Sequence, residues 1–288
     1  MTWQVPGYTT ERMLGFGATG EVWVARDDVS GEAVALKRLR TGSGSLGADR
    51  ERLRREGAIL AAFRHPNVIG LRGVLGDAEG LVLVLDLASG GSLTAVLAAV
   101  DRLRAGEAVG FFAPVADALA AAHGQGLLHG DVSPGNLLLG ADGTPLLADL
   151  GTARLAGDER SPVHATSRYL DPAVRAGGAP TTASDVYALA AVAAHALTAQ
   201  PVADHGGGVQ EWAERAHEMG VSARLVAALC AALATDPRRR PSAEEMGTSV
   251  RAACPPEPLD RLVAATASGV DERIGSAAKP DAAPPGAE

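Results

Sequence analysis

The hydrophobic pattern of this chain changes near residue 92, and that change limits the folds open to it. Before it, apolar residues such as Val22, Val24 and Leu36 alternate with polar or small ones, and Ser30-Gly31 marks a turn between two runs. After it, apolar residues recur every three or four positions over long stretches. A period of two is typical of half-buried strands, and a period near 3.6 is typical of amphipathic helices. The sequence therefore predicts an α+β protein with a small sheet-rich lobe and a larger, mainly helical lobe.

The same periods and turn residues place the individual elements. Strands are predicted within 8–40, at 68–75 and at 81–87, with one main helix of the small lobe over 49–63. The larger lobe is predicted to contain helices over 92–104, 107–123, 182–199, 208–219, 221–235 and 242–253. Residues 255–288 hold 6 of the 17 prolines and much alanine, which indicates a mostly disordered tail with a short helix near 259–266. The predicted units are thus 1–87, 88–254 and 255–288.

Composition and charge argue against several classes of function. The 26 basic and 34 acidic residues give a net charge of −8, which is unlike a general nucleic-acid or anionic-membrane binder. Neither the two cysteines nor the seven histidines have metal-ligand spacing. The N-terminus lacks a signal-sequence pattern, and the longest apolar stretch, 186–199, is too short to span a bilayer. We therefore expect a cytoplasmic protein with no membrane span and no nucleic-acid partner.

A glycine-rich turn and a single lysine indicate phosphate binding. In the run GFGATG at 15–20, glycines would let backbone N–H groups approach phosphate oxygens closely. A strand follows this turn, whereas a helix would follow in a dinucleotide-binding fold. Lys37 is the only lysine among the first 278 residues, which indicates a tight site built around one anion. Glu56 is a candidate partner for the ammonium group. In the alternative interpretation, Glu56 is a charged helix residue that faces solvent.

A polar loop that runs into an apolar strand carries the second group of candidates. In LLHGDVSPGNLLL at 127–139, Asp131 and Asn136 are five residues apart, and Asp149 follows thirteen residues after Asn136. Magnesium in phosphoryl transfer takes one or two protein oxygens besides phosphate oxygens. Asn136 and Asp149 would supply them, and Asp131 would orient the attacking hydroxyl. As an alternative, both aspartates could be turn residues, but the glycine turn and the lysine that precede them favour the catalytic interpretation.

With these motifs in order, the chain resembles the protein kinase superfamily, specifically the eukaryotic-like Ser/Thr kinases of bacteria. The resemblance covers about 8–254 and implies a bilobal fold with an antiparallel-sheet N-lobe, one main N-lobe helix and a larger helical C-lobe. It also implies ATP and Mg²⁺ as cofactors and Ser or Thr hydroxyls of proteins as substrates. The motifs that carry it are GFGATGEV, VALK at 34–37, the helix glutamate, HPN at 65–67, the catalytic loop, DLG at 149–151, Tyr169, DVYAL at 185–189 and RPS at 240–242.

The resemblance implies a catalytic role for each candidate. Lys37, paired with Glu56, would hold the α- and β-phosphates. Asp149 and Asn136 would bind Mg²⁺, and Asp131 would accept the proton of the substrate hydroxyl.

The resemblance also implies a nucleotide pocket between the lobes. The carbonyl of Asp86 and the N–H of Ala88 would hydrogen-bond adenine at the hinge. Val22 and Ala35 would cover the ring from above and Leu138 from below. The remaining residues expected around the nucleotide are Leu14, Gly15, Gly17, Gly20 and Lys37.

The catalytic loop departs from the family pattern at two places. Gly130 stands where many kinases have the arginine that binds a phosphorylated activation loop, so we expect activity without loop phosphorylation. Thr166 matches the activation-segment threonine and would hydrogen-bond Asp131. Ser133 replaces the catalytic-loop lysine, so either another group supplies that charge or turnover is slow.

A third departure concerns a buried ion pair. Ala173 replaces the glutamate that ordinarily pairs with the arginine at position 240. Because a buried, unpaired arginine is costly, Arg240 needs another carboxylate, for which Asp171 is the candidate, or an exposed position.

These departures leave two alternatives to a protein kinase. The loop HGDVSPGN also resembles that of aminoglycoside and choline phosphotransferases, which phosphorylate small molecules. The missing lysine and glutamate fit a pseudokinase that binds nucleotide with little turnover and acts as a scaffold. GFGATGEV, DVYAL and RRRPS favour a protein kinase over the first alternative, and the four catalytic side chains argue against the second. In each case a regulatory partner could act through the C-terminal tail.

Overall fold

An antiparallel sheet forms the small lobe. The computed structural model describes residues 3–17, 20–39, 62–76, 81–150 and 168–269. In these ranges the small lobe contains strands β1 (Tyr8–Gly17), β2 (Gly20–Asp27), β3 (Ala33–Leu39), β4 (Leu71–Gly76) and β5 (Leu81–Asp86). They pair antiparallel in the order β1-β2-β3-β5-β4. Most of the main helix expected over 49–63 lies outside the described residues.

Strand β4 begins three residues later than the sequence predicts. The segment before it turns towards the large lobe, where Ile69 N donates to Leu147 O at 2.9 Å and Asn67 Nδ2 donates to Pro145 O at 2.9 Å. Leu147 N in turn donates to Asn67 O at 2.8 Å. The backbone from Asn67 to Ile69 thus bonds the large lobe, and for this reason it does not join the small-lobe sheet.

The large lobe is mainly helical, as predicted. Each expected helix is present, although α1 ends four residues early because Asp101 adopts a positive φ of 63°. The last expected helix begins with the predicted capping box, in which Ser242 and Glu245 each bond the other's backbone N–H. The helices are α1 (Leu93–Val100), α2 (Ala105–Gly124), α3 (Pro172–Arg175), α4 (Thr182–Thr198), α5 (Gly208–Glu218), α6 (Ala223–Ala232), α7 (Ala243–Arg251) and α8 (Asp260–Gly269), with a strand pair β6 (Leu137–Leu139) and β7 (Pro145–Leu147).

Helix α2 lies at the centre of the large lobe. By its 20 residues and its composition it is apolar enough to cross a membrane. In this fold the helix packs against α4 and α7, and 67% of its most apolar stretch of 18 residues is buried. Phe111, Phe112 and Leu119 lie in the core, each no more than 1% exposed. Its apolar composition is thus explained by its place in the core of the lobe.

The ordered part of the large lobe continues past the boundary expected at residue 254. Helix α8 corresponds to the short helix expected near 259–266, and Leu259 and Leu262 are buried in the same core as α2. Residues 270–288, the rest of the expected tail, lie outside the described residues. The first part of the supposed tail is therefore part of the folded lobe.

Candidate active site

Lys37 is placed by the middle of the small-lobe sheet. Strand β3 lies between β2 and β5, and Lys37 stands opposite Val22 on one side and Leu83 on the other. The side chain is 2% exposed, and its Nζ lies 2.5 Å from Oδ2 of Asp149. The two residues are 112 positions apart in the sequence. The contact joins the small-lobe sheet to the loop after β7 across the cleft between the lobes.

The glycine-rich run forms the end of the β1–β2 hairpin. Gly17 pairs with Gly20, whose φ of 136° is a conformation that other residues rarely adopt. A Cβ at Gly15 would meet no atom within 4 Å, and Leu14 and Phe16 are 44% and 66% exposed. The described residues before the tip thus leave space around Gly15, and the phosphate contacts expected of the glycines stay predictions.

The catalytic-loop candidates are held together by one side chain. Asn136 Nδ2 donates to the main-chain O of Asp131 at 2.8 Å and to its Oδ2 at 3.1 Å. Ala148 N donates to Asn136 O at 2.9 Å, which brings Asn136 beside the residue preceding Asp149. Because the nitrogen of the Asn136 amide is used towards Asp131, its oxygen remains as the acceptor end of the group. The loop and the Asp149 turn therefore converge on one place.

Asp131 carries an unusual carboxylate. Among the described residues its Oδ1 is buried and has no hydrogen-bond partner. Burial raises the pKa of this carboxyl above its ordinary value, and the hydrogen bond from Asn136 opposes that shift in part. A buried acceptor without a donor is costly in a structural role, but it is suited to accept a proton from a bound hydroxyl.

Replacement of Asp131 with asparagine is expected to raise the stability of the protein. The pKa of the Asp131 carboxyl is higher in the folded state than in the unfolded state, so its buried charge destabilises the protein fully above the folded-state pKa. That cost declines as pH falls through the folded-state pKa and is gone below the unfolded-state pKa. Asparagine removes the charge at nearly constant volume, and at pH 7 we expect the melting temperature to rise by about 2–4 °C, equivalent to roughly 1 kcal/mol. Calorimetry of wild type and variant checks this. A variant that melts below wild type would contradict the assignment of burial as the cause.

The catalytic-loop backbone is anchored by a residue to which sequence reasoning gave no role. Asp185, 2% exposed at the start of α4, accepts from the backbone N–H groups of His129 and Gly130 at 2.9 and 2.8 Å. Its carboxylate also lies 2.9 Å from His123 Nε2. The DVYAL motif contained a sign of this role, since it places an aspartate in the first turn of an otherwise apolar helix.

His129 and Gly130 complete this anchor. His129 Nε2 lies 2.8 Å from Ala148 O, and Asp131 N donates to His129 Nδ1 at 3.1 Å. Gly130 has a φ of 77°, which favours glycine. The glycine at this position thus lets the chain turn between His129 and Asp131 without backbone strain.

The hinge candidates connect β5 to α1. Asp86 N donates to Gly70 O at 2.9 Å, and the Asp86 carboxylate pairs with Arg72 at 2.6 Å, on the side of β4. Ala35 is buried in β3, and Leu138 lies in β6, where it forms a bridge with Ser92. Ala35 and Asp86 thus lie in or at the end of the sheet that carries Lys37, and Leu138 lies in the strand pair of the large lobe. The adenine contacts expected of them stay predictions.

The buried arginine has the partner that the sequence suggested. Arg240 is 8% exposed and forms a bidentate pair with Asp171, at 2.6 Å from Nη1 to Oδ2 and 2.9 Å from Nη2 to Oδ1. Its other contacts are the main-chain oxygens of Ala234, Ala183 and Thr235 and the ring of Tyr187, 4.8 Å from the guanidinium carbon. Asp171 therefore replaces the missing glutamate two residues earlier in the chain.

The donor set of the cleft fits a magnesium ion. Within the described ranges no group of three or more His, Cys, Asp or Glu side chains could hold a metal. Magnesium in phosphoryl-transfer sites needs less, since phosphates and waters complete its shell. One carboxylate from Asp149 and one amide oxygen from Asn136 are hard oxygen donors of this kind, and the buried Lys37 ammonium pairs with the same Asp149 carboxylate.

Two predicted catalytic residues, Glu56 and Thr166, lie outside the described residues. The pairing of Lys37 with Glu56 and the contact of Thr166 with Asp131 stay predictions. The other four members of the predicted catalytic group belong to the one cleft described above.

Comparison with known proteins agrees with this architecture. Residues 8–251 match the family described as protein kinase domain. The chain is 32% identical to the serine/threonine-protein kinase PkaA of Streptomyces coelicolor over 96% of this chain and 55% of that protein. It is 33% identical to the serine/threonine-protein kinase PknJ of Mycobacterium tuberculosis over 89% of this chain and 48% of that protein. Among solved structures, the kinase domain of Mycobacterium tuberculosis PknI superposes with a TM-score of 0.67 at 30% identity, covering 88% of this chain and 98% of that domain.

The chain spans about half the length of these two curated relatives, so the likeness concerns their kinase domains. The family match, the bilobal fold and the cleft residues agree with each other, and they confirm the resemblance inferred from the sequence motifs. The chain belongs to the protein kinase family, among the eukaryotic-like serine/threonine kinases of bacteria.

Proposed function

We propose that this kinase domain transfers the γ-phosphoryl group of ATP to Ser or Thr hydroxyls of proteins. The observation that carries the proposal is the contact between Lys37 and Asp149, 2.5 Å across the cleft, beside the loop that holds Asp131 and Asn136. A buried ammonium, a carboxylate suited to a metal and a buried, unpartnered carboxylate oxygen are the parts that phosphoryl transfer requires.

In the proposed reaction the substrate hydroxyl oxygen attacks the γ-phosphorus. The new O–P bond forms as the bond from the γ-phosphorus to the β-phosphate oxygen breaks, and ADP leaves. The hydroxyl proton passes to Oδ1 of Asp131, the oxygen without a partner among the described residues. Asn136 holds the Asp131 carboxylate in place through its Oδ2. Because the transition state is loose, orientation of the hydroxyl contributes more than the base strength of Asp131.

Charge neutralisation is the second part of the proposed mechanism. Lys37 would bind the α- and β-phosphates, its ammonium already held in the cleft by burial on β3. Asn136 and Asp149 would hold Mg²⁺, which when bound neutralises charge on the phosphate oxygens. At position 133 a serine, 7% exposed, replaces the lysine found in many kinases. We infer that Lys37 is the lysine on which transfer depends.

A labelling experiment separates protein kinase, small-molecule kinase and pseudokinase. Purified protein is incubated with Mg²⁺ and ATP labelled at the γ-phosphate, alone, with generic basic proteins, and with aminoglycosides or choline. We expect label on protein that disappears in Asp149→Asn. Label only on the small molecules, or nucleotide binding without transfer, would contradict the proposal and support one of the two alternatives.

Transfer is proposed not to depend on phosphorylation of the activation segment. Gly130 has no side chain to bind a phosphate, and its backbone N–H is held by Asp185 instead. The variants Ser161→Ala and Ser167→Ala, outside the described residues, are expected to keep at least half of the wild-type initial rate. Full inactivation by either one, in protein whose melting temperature is unchanged, would contradict this.

We also propose a cellular location and a regulatory partner for the domain. A cytoplasmic location fits the burial of α2 inside the large lobe. Binding of a regulatory partner to residues 270–288 would explain how a signal reaches the domain, and it can be tested by comparing the rates of chains with and without that segment.

A further inference from the structure

The segment after α7 is attached to the large lobe by specific contacts. Glu257 N donates to Gly106 O at 2.9 Å. Arg261 forms a bidentate pair with Glu107, in which both bonds are 2.6 Å long and the carboxylate is 1% exposed. Leu259 and Leu262 are buried beside them. Helix α8 is thus fixed to the first turn of α2, although it lies beyond residues 8–251, which match the protein kinase domain family.

Glycines of the large lobe make room for this segment. A Cβ at Gly106 would lie 2.5 Å from Cγ of Glu257, and one at Gly110 would lie 2.8 Å from the main-chain O of Glu257. A Cβ at Gly91 would lie 3.2 Å from Thr266. Such close approaches at both ends of the segment indicate a defined docking site, from α2 to the turn that precedes α1.

Thr266 connects α8 to that turn. The side chain is 6% exposed, and its Oγ1 lies 2.8 Å from Gly90 O and 2.8 Å from Val263 O. The hydroxyl has a single proton, which is shared between Val263 O within the helix and Gly90 O outside it. Gly90 N donates to Leu139 O at 2.9 Å, and Leu139 N donates to Gly91 O at 2.9 Å. The turn is therefore held between α8 and β6.

We propose that Thr266 is a positioning residue for nucleotide binding. Gly90 follows two residues after Ala88, the expected adenine donor, and Leu139 follows Leu138, the expected floor of the adenine pocket. Gly90 N bonds β6, and the Thr266 hydroxyl bonds Gly90 O from the other side. Thr266 thus restrains the backbone beside Ala88 and Leu138, on which the expected adenine contacts depend. The inference rests on the proposed function, since it assumes that the cleft binds ATP.

The test compares three variants in Mg²⁺–ADP binding and in ATP kinetics. Thr266→Val removes the hydroxyl at constant shape, and we expect about three- to tenfold weaker ADP binding and a similar rise in KM for ATP, with kcat unchanged. Thr266→Ser keeps the hydroxyl and is expected to bind like wild type. Thr198→Val is the matched control, since Thr198 is 7% exposed and contacts Ala194 O and Gln200 O at 3.1 Å, all in the α4 region.

Two results would overturn the proposal while leaving the proposed function intact. One is equal ADP affinity of Thr266→Val and Thr198→Val, and the other is a Thr266→Ser variant as weak as Thr266→Val. Failure of wild type to bind ADP would contradict the proposed function itself, and this inference with it.

A second measurement needs only wild-type protein. Coupling between two sites is reciprocal, so nucleotide binding that is favoured by docked α8 must also strengthen the docking of α8. Hydrogen exchange of the peptide covering 260–269 should slow at least twofold at saturating Mg²⁺–ADP. Unchanged exchange in that peptide, with slowed exchange in β3, would rule out the coupling.

Discussion

Replacement of Lys37 with methionine is expected to reduce phosphoryl transfer by about a hundred- to a thousandfold. The ammonium is buried on β3, 2.5 Å from Asp149, and position 133 provides no lysine to take over its charge. Methionine keeps an unbranched side chain of similar length, so the loss should reflect charge and not packing. The initial rate of label transfer from ATP measures the effect.

Two further substitutions make the Lys37 prediction specific. Lys37→Arg keeps the positive charge but replaces a compact ammonium with a planar fork, and we expect nearly the same loss. Arg38→Met removes a cation from the adjacent residue of β3, whose side chain points to the opposite face and lies over Trp3. That control should keep wild-type activity. Transfer within threefold of wild type in Lys37→Met would contradict the account.

Replacement of Asp171 with alanine is expected to lower the free energy of unfolding by about 3–5 kcal/mol. The change leaves the guanidinium of Arg240 buried, with no carboxylate to balance its charge, and it removes two hydrogen bonds of 2.6 and 2.9 Å. It also removes the acceptor for Ala173 N at the start of α3. A loss of this size corresponds to a melting temperature lower by on the order of 10 °C, which calorimetry measures.

Two control variants distinguish the loss of a buried ion pair from the loss of an exposed one. Glu218→Ala breaks an ion pair with Arg215 whose side chains are 57% and 67% exposed, and it should change stability by less than about 1 kcal/mol. Arg240→Lys keeps the positive charge, but an ammonium can replace only part of the hydrogen bonds of the guanidinium fork, so we expect an intermediate loss of stability. If Asp171→Ala were no less stable than Glu218→Ala, Asp171 would not be the functional replacement for the missing glutamate.

Most of the fold could be predicted because its hydrophobic patterns continue over many residues without interruption. The alternation in β2 and β3 and the helical repeat from residue 92 onwards each extend over enough residues to be unambiguous. The segment around α8 was harder to predict, because three prolines precede it and the whole of 255–288 is rich in proline and alanine. Its burial depends on Leu259 and Leu262 and on space left by distant glycines such as Gly106, and neither feature has a local signal.

The candidate site was predicted from spacing, but its connections were not. Asp131, Asn136 and Asp149 could be proposed as a group because their order and spacing resemble the protein kinase pattern. The direct contact of Lys37 with Asp149 joins residues 112 positions apart, and only the packing of the two lobes determines it. The role of Asp185 was missed because a carboxylate in the first turn of a helix is ordinarily solvated, whereas this one is 2% exposed and bonds the catalytic loop.

The identity of the phosphorylated amino acid is the most direct test of phosphoryl transfer to Ser or Thr hydroxyls of proteins. After incubation with Mg²⁺ and γ-labelled ATP, the labelled protein is hydrolysed in acid and its phosphoamino acids are separated, with Asp131→Asn as the inactive reference. We expect label on phosphoserine or phosphothreonine in wild type and none above background in the variant. Label that is absent from both amino acids in wild type, or equal in wild type and Asp131→Asn, would contradict this expectation.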